Sequence, residues 1–260
     1  MTHTYRILSF NIRYSLAPDG PQRWEKRRRL VVERLQAHQP DLVGLQECRL
    51  DGQAQYLQRR LPGYAWVGQA RGSTHESALE MAPILYRRAR FTLLDSGTFW
   101  LSASPQVPGS RSWGSALART ASWARLRERE GGSELFCFNT HFDHESALAR
   151  QRSAALLLAQ IEQLAGGLPV IVTGDFNAEK DSPPYHQLVA AGRLVDASRA
   201  RHAPGEAEAT FHNYGRGPGQ AIDWILASPH FEVLQAGVDR SVQAGLYPSD
   251  HYPLFVVLSY

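Results

Sequence analysis

Two cysteines in 260 residues, Cys48 and Cys137, exclude a disulfide framework, and two thiols alone cannot make a structural zinc site. Both sit in or beside apolar runs, so they are expected as reduced, buried thiols. No apolar segment approaches the length of a membrane span, so no membrane partner is expected. There is no low-complexity tract, no internal repeat and no linker-like stretch. Neither sign of charge dominates: 28 Lys and Arg stand against 25 Asp and Glu, a formal net charge of +3. That lean towards anionic partners is far below the density of a DNA-coating protein. The start, "MTHTYRILSF", carries no long apolar core of a secretory signal, and a cytoplasmic location is the expectation.

What is present is a globular composition, 43% hydrophobic and 20% charged, sufficient for a large core. Eleven short β-rich runs recur, from "YRILSFNI" and "DLVGLQE" through "ELFCFNTHF" and "PVIVTGDF" to "YPLFVVLSY". Three helical patterns lie between them. In "PQRWEKRRRLVVERLQAHQ", Trp24, Leu30, Val31 and Leu35 share one face; Pro21 suits the start, Pro40 the stop, and the run Lys26 to Arg29 reads as a solvated face. "HESALARQRSAALLLAQIEQLAGG" is closed by Gly166 and Gly167, and "SPPYHQLVAAG" is short. Dispersed helices among many strands predict two stacked sheets with helices outside, in one domain over residues 1–260. Residues 102–117 form the longest loop-like stretch, and 200–221 a second polar segment.

Several strands stop on polar residues: Asn11, Glu47, the group Asn139, His141, Asp143 and His144, and the pair Asp175 and Asn177. Asp223 opens a strand, and Ser249, Asp250 and His251 precede the last one. Singly, each has an ordinary explanation, such as a turn or a helix cap. Together, they are expected to converge on one sheet rim. Oxygen-rich donors without cysteine suit Mg²⁺ or Mn²⁺ better than zinc. Asn177, two residues after Asp175, is expected on the same side of an extended segment, and Gly174 to let the backbone approach a ligand.

"SFNIR", "LQE", "NTHFDH", "GDFN", "IDWI" and "SDHYP", in that order, closely resemble the endonuclease/exonuclease/phosphatase superfamily of metal-dependent phosphoesterases. "NTHFDH" is similar to the deadenylase-type and small bacterial members. The resemblance implies a four-layer α/β sandwich, two stacked mixed β-sheets flanked by helices, and one or two Mg²⁺ or Mn²⁺ ions. By it, Glu47 matches the main metal ligand and Asp250 approaches a metal. Asn11 supports the metal or a phosphate oxygen, and Asp175 orients or deprotonates the attacking water. Asn177 holds that water or a non-bridging oxygen. Asp223 and His251 form an Asp–His pair, while His141 and His144 donate to phosphate oxygens or assist the leaving group.

The expected activity is divalent-metal-dependent phosphoester hydrolysis, nuclease-like or phosphodiesterase-like. The alternative is a phosphatase or phosphodiesterase acting on a small-molecule or lipid-headgroup phosphate. The expected partner is a phosphate-ester substrate (nucleic acid, nucleotide or small molecule), with no obligate protein partner. A non-catalytic binding module of the same fold is disfavoured because each site position holds a competent side chain. A Ser249–Asp250–His251 triad is excluded by adjacency, and no G-x-S-x-G elbow occurs. Glu80, Arg119, Arg152 and Trp113 stand between surface and site, and Asp143 is expected to face away.

Overall fold

The computed structural model describes residues 3–72, 76–199 and 209–260. Two six-stranded mixed sheets stack face to face. The first contains β1 (Thr4–Asn11), β2 (Leu42–Gln46), β4 (Tyr64–Val67), β6 (Ile84–Arg87), β13 (Glu232–Val238) and β14 (Leu254–Ser259), in the order β13-β14-β1-β2-β6-β4. The second contains β7 (Phe91–Trp100), β8 (Thr120–Glu128), β9 (Glu134–His141), β10 (Val170–Asp175), β11 (Val195–Asp196) and β12 (Asp223–Ala227), in the order β11-β12-β10-β9-β8-β7. A two-stranded ribbon pairs β3 (Cys48–Arg49) with β5 (Glu80–Met81).

Side-chain alternation builds the layers. Ile7, Leu42, Cys137, Ile171 and Ile225 point between the sheets. Their neighbours Leu8 and Val43 point outward, onto helices α1 (Trp24–His38) and α2 (Gly52–Arg60). On the other sheet, Phe138, Val172 and Leu226 point outward, onto α3 (Ala147–Ala165) and α4 (Pro183–Val189). The result is the four-layer sandwich expected. Cys48 and Cys137 are free and buried. Among the described residues, no helix is long and apolar enough to cross a membrane.

Only two adjacent strand pairs in the large sheets are parallel, β1–β2 and β9–β10. Their crossovers contain α1 and α3, so the C-terminal ends of all four strands open on one rim. A polar seam lies between the sheets below that rim. Asn139 donates to the Leu45 and Pro83 carbonyls and accepts from Gln46 and Thr173. Asn139 is therefore an inter-sheet tie, not a rim residue. Gly44 makes the seam possible, because a Cβ there would lie 2.0 Å from Thr173 Oγ1.

Three readings of the sequence need correction. Helix α2 follows Asp51, whose carboxylate caps Gln53 N–H, in a stretch too polar to show an apolar stripe. Helix α1 starts at Trp24, because Pro21 sits in a separate 3₁₀ turn. The run Lys26 to Arg29 is not uniformly solvated: Arg27 is fully buried. Residues 200–208 of the second polar segment lie outside the described residues.

Candidate active site

Each parallel pair ends in the same local device. At the end of β1, Asn11 Oδ1 accepts from Arg13 N–H at 2.9 Å, and Arg13 adopts φ 52°. At the end of β10, Asp175 Oδ1 accepts from Asn177 N–H at 2.9 Å, and Asn177 adopts φ 47°. A side-chain oxygen closing on the N–H two residues later is the Asx turn, which tolerates the left-handed residue. Asn177 therefore reaches the site by a turn and not by strand alternation. Glu47, directly after β2, is also left-handed, at φ 56°. Such conformations cost on the order of 1–3 kcal/mol for ordinary residues and cluster at functional sites. Gly174 has another reason than a ligand: its missing Cβ is needed by Thr140 on β9, whose carbonyl would lie 2.9 Å away.

The rim surrounds a cavity of about 400 Å³, lined by Glu47, His141, His144, Asp175, Asn177, Asp250 and His251 among others. Asn11 and Asp223 stand behind this lining. Asn11 Nδ2 donates to Glu47 Oε1 at 3.1 Å and to Asp175 Oδ2 at 2.9 Å. One amide thus ties a carboxylate of the first sheet to one of the second. With both donors committed, Asn11 offers a ligand only its oxygen. Asn177 Nδ2 donates to the Phe142 carbonyl at 3.0 Å, which leaves its second N–H and its oxygen.

Asp223 Oδ2 pairs with His251 Nδ1 at 2.8 Å, both buried. Burial alone would lower the pKa of His251. The Asp223 carboxylate, joined by Asp175 and Asp250, instead raises it to about 10, so the ring is an imidazolium at neutral pH. Asp175 Oδ2 lies 3.8 Å from His251 Nε2 and 3.4 Å from His141 Nε2. Burial and the neighbouring Asp223 push Asp175 up to about 7. Burial, then Arg119 and Arg71, hold His141 well below the usual imidazole range, hence neutral. Ligand atoms of Asp175, Asp223 and His251 lie within 4.8 Å of one another, but as an imidazolium His251 has no lone pair to offer an ion.

Three lining arginines, Arg13, Arg49 and Arg71, were missed in the sequence. Arg13 lies 3.9 Å from Glu47, 3.6 Å from Asp250 and 3.3 Å from Asp19. Glu47 stays below the usual carboxylate range despite its burial, through Arg13 and the Asn11 hydrogen bond. Burial and the nearby Glu47 raise Asp250. Arg49, Arg71 and Arg119 also line the cavity, with Glu80. Glu80 is a buried cavity residue, paired with Arg71 at 2.8 Å.

Arg119 is buried, with Nη2 2.9 Å from His144 Nδ1. Arg152 is exposed on α3. Trp113 is half-buried, and its carbonyl accepts from Ser146 Oγ. Asp143 faces away from the cavity, accepting from Ser115 Oγ and from the backbone of Ala116, Glu145 and Ser146. It pins the 102–117 loop to the start of α3.

The class such a fold and rim define is that of phosphoester hydrolases. The chain belongs to the Endonuclease/Exonuclease/phosphatase family, whose model matches residues 8–251. An endonuclease/exonuclease/phosphatase from Bacteroides vulgatus is 33% identical, with TM-score 0.90 over 98% of each chain. A mannosyl-6-phosphatase from Bacteroides thetaiotaomicron is 33% identical, with TM-score 0.87 over 98% of this chain and 100% of that one. Nocturnin from Homo sapiens is 25% identical over 92% of this chain, which spans only 59% of that protein's length.

Proposed function

We propose that this chain is a divalent-metal-dependent hydrolase of small-molecule phosphate esters, with Glu47, Asp250 and Asn11 Oδ1 as metal donors. The observation that carries the reading is Asn11, whose single amide holds Glu47 and Asp175 on either side of one cavity. The donors are all oxygen, as a hard cation requires. Their fit to a cation is supported by Arg13, whose guanidinium lies within 4 Å of both Glu47 and Asp250. A bound Mg²⁺ or Mn²⁺ would polarise the phosphate and stabilise the leaving oxygen.

The chain's own groups then divide the remaining work. Asp175, held by Asn11 and Asn177 and raised to about 7, orients the attacking water and takes its proton. The imidazolium of His251, fixed by Asp223, stabilises charge on the non-bridging oxygens. Asn177 offers its second N–H to the same oxygens, and neutral His141 helps to place the water. His144 and Arg119 face the departing alcohol. The cavity has the size of a small-ligand site, and the mannosyl-6-phosphatase likeness supports a small phosphate ester. The second reading is a nuclease, favoured by Arg49, Arg71 and Arg119 on the cavity wall.

The test is hydrolysis of p-nitrophenyl phosphate and bis-p-nitrophenyl phosphate, with single-stranded DNA and RNA in parallel. EDTA should abolish turnover and Mg²⁺ or Mn²⁺ should restore it. Glu47→Gln and Asp175→Asn should lose turnover while circular dichroism is unchanged. Turnover that survives metal removal refutes the metal; turnover that survives both substitutions refutes the site.

A further inference from the structure

Much of the cavity remains unused by this chemistry. The lining also contains Arg49, Arg71 and Arg119, and each has a carboxylate nearby. Arg71 pairs with Glu80 at 2.8 Å, Arg49 with Asp51 at 2.8 Å, and Arg119 with Asp143 at 3.8 Å. Each guanidinium thus has a carboxylate within 4 Å, and this part of the lining is rich in hydrogen-bonding groups.

The pair nearest the chemistry is held rigidly. Glu80 lies on β5, whose ladder sets it opposite Arg49 on β3, two residues after Glu47. Arg71 N–H donates to the Glu80 carbonyl at 2.8 Å, so backbone and side chain both join the two residues. Arg71 engages one carboxylate oxygen, Glu80 Oε1. A carboxylate has about four lone-pair sites, so Glu80 has acceptor capacity beyond that contact. Between this pair and the reacting centre lies a recess of about 10 Å³, lined by Glu47, Arg71, Glu80, Arg119 and His141 among others. That is room for one water-sized group.

Three leaving groups can be compared on this wall. A second phosphate would bring a dianion against the carboxylates of Glu80 and Glu47, which both line the recess. An alkyl or aryl group would cover charged groups without returning hydrogen bonds, which is costly. A hydroxyl both donates and accepts, so it can give to Glu80 and accept from Arg71, and it fits the recess. We propose that the Arg71–Glu80 pair is a hydroxyl-recognising subsite and that the substrate is the phosphate monoester of a polyol such as a sugar. This inference rests on the phosphoester hydrolase reading and names the alcohol part of its substrate.

The experiment compares kcat/KM, with Mn²⁺ and with Mg²⁺, for glucose 6-phosphate, mannose 6-phosphate, myo-inositol 1-phosphate, n-hexyl phosphate, fructose 1,6-bisphosphate and p-nitrophenyl phosphate. The best polyol monoester should exceed n-hexyl phosphate roughly a hundredfold, since a site built for hydroxyls rejects analogues lacking them. In Glu80→Gln, the ratio of polyol to n-hexyl phosphate should fall roughly tenfold, chiefly through KM, because uniform binding is lost. Parity of n-hexyl phosphate or the bisphosphate with every polyol overturns the inference, and this arm needs no variant. So does an equal fall for both esters in a folded Glu80→Gln. If no ester is turned over, p-nitrophenyl phosphate included, the hydrolase reading itself falls and takes the inference with it.

Discussion

Arg27→Met should destabilise the fold more than any other single change in the basic run of α1. Arg27 is fully buried and meets carbonyl oxygens: Gln22 from Nε at 3.0 Å, Ile12 and Pro248 from Nη1 at 2.5 and 3.0 Å, and Arg13 from Nη2 at 2.7 Å. It ties the turn after β1 to the segment just ahead of Asp250. Met fills much of the volume but leaves these acceptors unpaired. Hydrogen bonds from a charged donor are worth roughly 1.5–3 kcal/mol each. Against that stands the relief of no longer burying a charge, several kcal/mol. The difference should be about 3–5 kcal/mol, as for other buried charges whose partners are stranded. For a chain of this size, that is roughly a 6–20 °C drop in Tm. Urea unfolding, followed by tryptophan fluorescence and far-UV circular dichroism, measures it directly. Lys26→Met, on the exposed face of the same helix, is the control and should shift stability by less than about 0.5 kcal/mol. Arg27→Lys keeps the charge but not the planar fork, so it should fall between Arg27→Met and the native chain. A loss below about 1 kcal/mol for Arg27→Met, inside the range of ordinary surface changes, would refute the clamp.

Gly44→Ala should cost roughly 2–4 kcal/mol, because its Cβ would meet Thr173 and Asn139 in the polar seam. Adding Thr173→Ala should recover part of the loss in a double-mutant cycle, and strict additivity would show that the clash is misplaced. Asp223→Asn should lower kcat about 10²- to 10⁴-fold, as when other buried imidazoles lose their carboxylate. By NMR titration, the His251 pKa should drop from about 10; an unmoved pKa counts against the pair. Asp143→Ala should speed amide exchange across residues 102–117. Asp143 lies below its ordinary 3.8: burial opposes this, but Ser146 N–H and Arg119 prevail. With a lowered folded pKa, its contribution is present above about pH 4 and is lost as pH falls through the folded value. The native chain should therefore lose more stability than Asp143→Ala between pH 5 and pH 2, in steps of about one pH unit. Equal losses would refute that role.

The eleven strands of four residues or more were legible because each carries its own signal, a short β-rich run closed by turn residues; the two-residue strands β3, β5 and β11 carry none. Helix α2 was not, because "GQAQYLQRR" has no apolar stripe and only Asp51 marks its start. The acids, amides and imidazoles of the site were legible for a related reason. They interrupt apolar strands, and a polar residue at a strand end is conspicuous in one dimension. The arginines interrupt nothing. Arg27 lies in "EKRRRL" and differs from Lys26 only by where the helix face turns, and its partners are backbone carbonyls that leave no trace in side-chain pattern. Glu80 became a cavity residue through a two-residue ribbon with Arg49, too short to read as a strand. Residues that interrupt a pattern can thus be read in the sequence and point to a reaction class. Residues that neutralise one another across the fold, such as Arg71 with Glu80 and Arg119 with Asp143, appear only in three dimensions. In the proposed subsite, Arg71 and Glu80 would select the alcohol, and for that reason the substrate is harder to read in the sequence than the chemistry.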